Sequence, residues 1–234
     1  MSAGTSGLRY TAAVDKRFKS PGPQPNGIQA AEAGLWCIDQ VDLKVYLLDW
    51  ATGATRQEFQ TATEHSSGIT LDGDGNLWIT STRQLDVVKI DPRTGMELAR
   101  YPDPGAGLTA QAEQADPDGK RTGSHGIEWR AGRIYLAAPP TQRLHVMDAA
   151  MWEPVRTLPL PGLRPHGLGW NHDGRLWVSD TSAGTVHAMD PETGRIHDVF
   201  RVAEPAEVHG MTVRDGNEIW YCDAGTRDVG VLVR

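Results

Sequence analysis

Two stretches of the chain, SGITLDGDGNLWITSTRQLDVVKIDPRTG at 67–95 and HGLGWNHDGRLWVSDTSAGTVHAMDPETG at 166–194, align without a gap and decide the fold. In each, the second and third residues are a Gly and an apolar residue; the chain then turns and reaches an apolar–Trp pair. Each then runs through a third apolar segment into Asp-Pro-x-Thr-Gly, a turn signal that leads to a fourth segment. Four short strands in about 41 residues is the signature of a propeller blade.

Working outward, the opening recurs at Gly27-Ile28, Gly126-Ile127 and Gly210-Met211, with an aromatic nine or ten residues after each Gly: Trp36, Tyr135 and Trp220. The residues before the five glycines are Asn26, Ser67, His125, His166 and His209, at intervals of 41, 58, 41 and 43. Third strands are predicted at 45–49, 87–91, 144–148, 186–190 and 229–233. Fourth strands are predicted at 55–60, 97–101, 155–160 and 196–202. The fifth copy ends before a fourth strand, so the segment Arg9–Phe18 is expected to supply it and close the ring, which removes the open sheet edges. The expected fold is an all-β, five-bladed β-propeller in a single domain. The long interval places about 17 extra residues between Pro102 and Ser124, a lid-like loop that runs directly into His125.

The bulk composition agrees. The 234 residues hold 23 Lys and Arg against 30 Asp and Glu, a formal charge of -7, with 26 Gly and 15 Pro for the turns. No basic run marks a nucleic-acid surface, and no apolar run of about 18 residues marks a membrane span. A cytoplasmic protein with a small-molecule substrate is the expectation, with no nucleic-acid or membrane partner. Cys37 and Cys222 fall in second strands one residue out of step, so their side chains are expected on opposite sheet faces and a disulfide is not expected. Trp36, Trp78, Trp177 and Trp220 repeat with the blades and read as core between them.

The innermost strand of each blade begins at the channel mouth, so equivalent positions form a ring there. That ring is Asn26, Ser67, His125, His166 and His209. Two residues earlier a second ring holds Gln24, His65, Gly123, Arg164 and Glu207, and past the second strands come Asp39, Ser81, Ala138, Asp180 and Asp223. Imidazoles gathered on one axis repel as cations but suit a divalent metal (Fe, Zn, Mn, Cu or Mg) as neutral ligands. His125, His166 and His209 are the core of that candidate site, and His65 joins if Ser66-Ser67 folds it back over the mouth. Arg164 suits an anionic substrate group, Asn26 shares the substrate ring, and Glu128 faces the channel. His145, His172, His187 and His197 are expected away from the mouth.

At Arg164-Pro165-His166-Gly167 and Glu207-Val208-His209-Gly210 the sequence resembles the virginiamycin B lyase (streptogramin lyase) family. The resemblance implies a propeller that opens a cyclic depsipeptide by elimination with a His base and bound Mg²⁺. It implies His209 as general base, His166 as the His that orients substrate, and Glu207 and Asp223 as metal acids. The reading is thus a metal-dependent lyase acting by proton abstraction and β-elimination. A His-ligated iron or copper oxidoreductase or dioxygenase, and a non-catalytic binding propeller, stand beside it.

Overall fold

The computed structural model describes residues 10–108 and 121–233, and within them the five repeats form five four-stranded antiparallel blades. Blade 1 is β2(Pro25–Ala31), β3(Gly34–Asp39), β4(Lys44–Leu48) and β5(Thr55–Gln60). Blade 2 is β6(Ser66–Leu71), β7(Leu77–Ser81), β8(Asp86–Ile90) and β9(Glu97–Pro102). Blade 3 is β10(Ile127–Arg130), β11(Arg133–Ala138), β12(Arg143–Asp148) and β13(Pro154–Pro159), and blade 4 is β14(Pro165–Trp170), β15(Leu176–Asp180), β16(Thr185–Met189) and β17(Ile196–Val202). Blade 5 comprises β18(Gly210–Arg214), β19(Glu218–Cys222) and β20(Asp228–Val233), completed by β1(Thr11–Lys19).

The closure expected from the sequence is made by β1, antiparallel to β20 from Ala13↔Val233 to Lys19↔Asp228. Arg9 lies outside the described residues. One pairing went unforeseen: Thr11 and Ala12 also bridge β17 in parallel register, so β1 joins blades 4 and 5 into one eight-stranded sheet.

The core is divided into five clusters, each filling one gap between neighbouring blades. Side chains alternate along a strand, so Leu77 and Ile79 face blade 1 while Trp78 faces blade 3. Trp36, Trp78, Trp177 and Trp220 are buried in these gaps as expected. Cys37 and Cys222 are both free and buried in the gap between blades 5 and 1. Opposite faces of two adjoining blades look into the same gap, so the offset that separated them in sequence brings them to one cluster.

The glycine of each repeat has a steric cause. The inner strands crowd the axis, and a Cβ on Gly126 would lie 1.9 Å from the His166 carbonyl oxygen; one on Gly68 would lie 2.3 Å from that of His125. The absent side chain lets the strands carrying the histidines come together.

Candidate functional site

The three histidines expected to converge do so. His125, His166 and His209 line one cavity of about 370 Å³ at the channel mouth, together with Asn26, Gln40, His65, Arg83 and Arg164. The rings of His125 and His166 lie 4.1 Å apart centre to centre, and those of His166 and His209 5.3 Å apart, each pair edge to face.

The hydrogen bonds fix how these rings are protonated. His166 Nδ1 sits 3.2 Å from the backbone carbonyl of Arg164, which can only accept, so Nδ1 carries the proton. Its Nε2 is then the acceptor for His125 Nδ1, 2.8 Å away. His125 is therefore the Nδ1–H tautomer with its Nε2 lone pair uncommitted. His209 has mixed partners: the Ala224 amide donates to Nδ1 at 3.4 Å, Nε2 lies 3.6 Å from the Glu207 carboxylate, and the ring also meets the Glu207 backbone.

Burial keeps all three rings neutral. Desolvation first, and then the guanidinium of Arg164, push the pKa of His125 down to about 3, with smaller contributions from His209, His65 and Arg83. His166 is held well below the usual imidazole value by burial, then by its two histidine neighbours and Arg164. His209 is lowered by burial, with Glu207 and Asp223 acting against it.

His65 does fold over the mouth, in the left-handed region at φ 55°, where its carbonyl accepts a hydrogen bond from the Thr82 hydroxyl. Asn26 is buried; its Nδ2 donates to Gln40 Oε1 at 2.6 Å and to Ser67 Oγ at 3.4 Å. Glu128 is buried below the mouth, accepting from the Thr70 hydroxyl at 3.2 Å, and burial pushes its carboxyl up to about 8. His145 and His187 bond to Thr141 and Thr185 on their own blades, away from the mouth.

The two acids implied as metal ligands have other surroundings. Asp223 is buried, and it accepts the backbone amides of Glu207, Gly225 and Thr226. Asp39 does the same for Gln24, Val41 and Asp42, and Asp180 for Leu163, Arg164 and Ser182, so this column staples the mouth loops. Glu207 is exposed beside His209 and is not among the residues lining the cavity. The facing nitrogens of His125 and His166 lie 2.8 Å apart and are hydrogen-bonded to each other. Among the described residues no group of three or more His, Cys, Asp or Glu side chains is arranged to hold a metal ion.

Three contributors were missed. Gln40 and Arg83 follow the second strands of blades 1 and 2 by a residue or two, and only their proximity in sequence to the Asp39 and Ser81 column could have signalled them. Asp103 is the third. Blade 3 has Ala138 where Asp39 and Asp180 stand, and Asp103, from the start of the long insertion, takes over by binding the Ser124 amide and hydroxyl and the Gly105 amide. The insertion thus anchors the segment leading into His125, and its Thr122 lines the cavity. Residues 109–120 of the expected lid lie outside the described residues.

This architecture, a closed ring of five blades with a polar, histidine-rich cavity at one end of its channel, defines a β-propeller with a small-molecule-sized mouth. Residues 30–233 match the SMP-30/gluconolactonase/LRE-like region, and the chain belongs to that family. None of the curated proteins matches it in sequence. Among solved structures it is similar to the glutaminyl cyclase of Myxococcus xanthus, at 11% identity and TM-score 0.74 over 97% of both chains. It is similar to a streptogramin B lyase, at 16% identity and TM-score 0.58 over 94% of this chain and 96% of that one. The virginiamycin B lyase of Staphylococcus aureus matches at 18% identity and TM-score 0.55, over 90% of this chain and 67% of that one. At these identities the likeness is one of fold.

Proposed function

We propose that the protein is an enzyme that acts on a small molecule at the channel mouth by histidine acid–base chemistry, with β-elimination as the reaction. The observation that carries this reading is the hydrogen-bonded pair of neutral imidazoles, His125 and His166, with His209 packed edge to face beside it, at a cavity of about 370 Å³. The motif resemblance to streptogramin lyases at Arg164–Gly167 and Glu207–Gly210 supports elimination over other acid–base reactions.

In this reaction a base removes the proton on the carbon next to a carbonyl. The electron pair left behind forms a carbon–carbon double bond, and the oxygen at the β position departs with its bonding pair as a carboxylate. The uncommitted Nε2 of His125 suits the base, because the Arg164 carbonyl and His166 fix its tautomer through the opposite ring nitrogen. His209, whose Nε2 lies beside the Glu207 carboxylate, acts as donor to the carbonyl or leaving oxygen. The resemblance gives the base to His209, whose Nδ1 here already accepts the Ala224 amide. His166 positions His125, and Arg164, Asn26 and His65 bind substrate. A divalent metal, were one bound, would supply Lewis acidity to the carbonyl.

The test is product mass. Purified protein is incubated with a cyclic depsipeptide, an aldonolactone and an N-terminal glutaminyl peptide. Elimination opens the depsipeptide without adding water and creates a new double bond. Hydrolysis of the lactone adds one water, and cyclisation of the peptide releases ammonia. Ring opening without added water, lost in His125→Ala, supports the reading. Product that gains water, or full activity in His125→Ala, overturns it.

A further inference from the structure

Two cations stand at the mouth. Arg83 comes from the turn between β7 and β8 of blade 2, and Arg164 from the segment leading into β14 of blade 4; both line the same cavity, flanking His125 of blade 3. Neither guanidinium has a hydrogen-bond or ion-pair partner among the described residues. Several other guanidinium groups are paired, as Arg56 is with Asp49, Arg93 with Asp91, Arg100 with Asp86 and Glu97, and Arg156 with Glu192; what sets Arg83 and Arg164 apart is that both line one cavity. Among the described residues no acid lines the cavity: Asp39, Asp180 and Asp223 hold backbone amides, and the exposed Glu64 and Glu207 stand outside the lining. Two like charges facing one cavity, with no acid between them, repel until an anion enters.

We propose that the mouth is an oxyanion clamp, in which Arg83 and Arg164 grip a carboxylate or phosphate group of the ligand from the two sides of blade 3. The guanidinium fork matches such groups with paired N–H donors. The clamp also bears on His125, whose basicity both arginines depress. An anion between them neutralises that effect, so the ligand raises the basicity of the ring beside which it binds. The inference rests on the mouth being the binding site. It is tested at equilibrium without turnover, so that its failure and that of the elimination reading are told apart.

The probes are succinate, inorganic phosphate and the neutral analogue succinamide, titrated calorimetrically into wild-type protein, Arg83→Gln, Arg164→Gln and, as a control, the exposed Arg195→Gln. Both clamp side chains are exposed, so neither change removes core packing. Saturable binding of one anion is expected, with succinamide failing to bind. Each clamp substitution should weaken it by about 10- to 100-fold, the range for a charge-assisted hydrogen bond, and Arg195→Gln should leave it unchanged. Which anion binds separates a carboxylate from a phosphate ligand. The ring resonances of His125 should shift with the anion in wild type and not in Arg83→Gln. The proposal is overturned if neither anion saturates, if succinamide binds as well, or if Arg195→Gln weakens binding as much as the clamp substitutions.

Discussion

Replacing Glu128 by Gln should change how stability depends on pH, and the size of the change follows from burial. In the folded protein the carboxyl sits in the channel with the Thr70 hydroxyl as its partner, and its pKa is about 8 against an ordinary 4.5. Between those two values the folded state keeps a proton that the unfolded chain has released. Stability from this group is therefore fully present below about pH 4.5 and falls as pH rises, by about 1.4 kcal/mol per pH unit, to a total loss of about 5 kcal/mol above pH 8. From pH 5.5 to 7.5 the loss comes to about 2.5 kcal/mol. The depressed histidines work in the other direction: their contribution is complete above about pH 6.5 and is lost as pH falls. Urea unfolding of wild type and Glu128→Gln at both pH values isolates the Glu128 part, because the histidine contributions cancel in the difference. Gln keeps an oxygen for Thr70, and any constant cost of its buried amide drops out of the comparison. Wild type should lose about 2.5 kcal/mol more than the variant over that interval. Equal pH dependence in the two proteins would refute the placement of a protonated carboxyl in the channel.

Other outcomes follow from the same coordinates. Gly126→Ala puts a methyl group 1.9 Å from the His166 carbonyl oxygen, and should cost about 3 kcal/mol by overpacking, read by thermal or urea unfolding. Gln142→Gly relieves a left-handed residue at φ 53°, in the turn where blade 4 already carries Gly184, and should raise stability by up to about 1 kcal/mol; a loss would show that the turn tolerates Gln without strain. Nitrogen-15 spectra at neutral pH should find His125 as the Nδ1–H tautomer, and His166→Leu should release that preference; an Nε2–H ring in wild type would break the relay from the Arg164 carbonyl. Extensive dialysis against a chelator should leave ring resonances and anion binding unchanged, and a tightly held stoichiometric metal lost in His125→Ala would disprove the hydrogen-bonded pair.

The chain order alone determined the blades. A 41-residue repeat of Gly, turn, aromatic and Asp-bounded strand follows from local turn chemistry and alternation, and it also exposed the missing strand that β1 supplies. The ring of Asn26, Ser67, His125, His166 and His209 was legible too, because register within a blade is conserved from one repeat to the next. What the sequence could not contain is the direction in which each polar group spends its hydrogen bonds. Asp223 shares the register of the mouth yet is turned onto backbone amides, Asp103 enters from an insertion to do for Ala138 what Asp180 does in its own blade, and Arg83 and Arg164 meet across a blade that separates them by 81 positions in the chain. Likewise, which nitrogen of His125 is free depends on a carbonyl in the neighbouring blade. Strand periodicity is a local property and survives in one dimension; partner choice at the axis is set by five segments packed at once, and only the closed ring decides it.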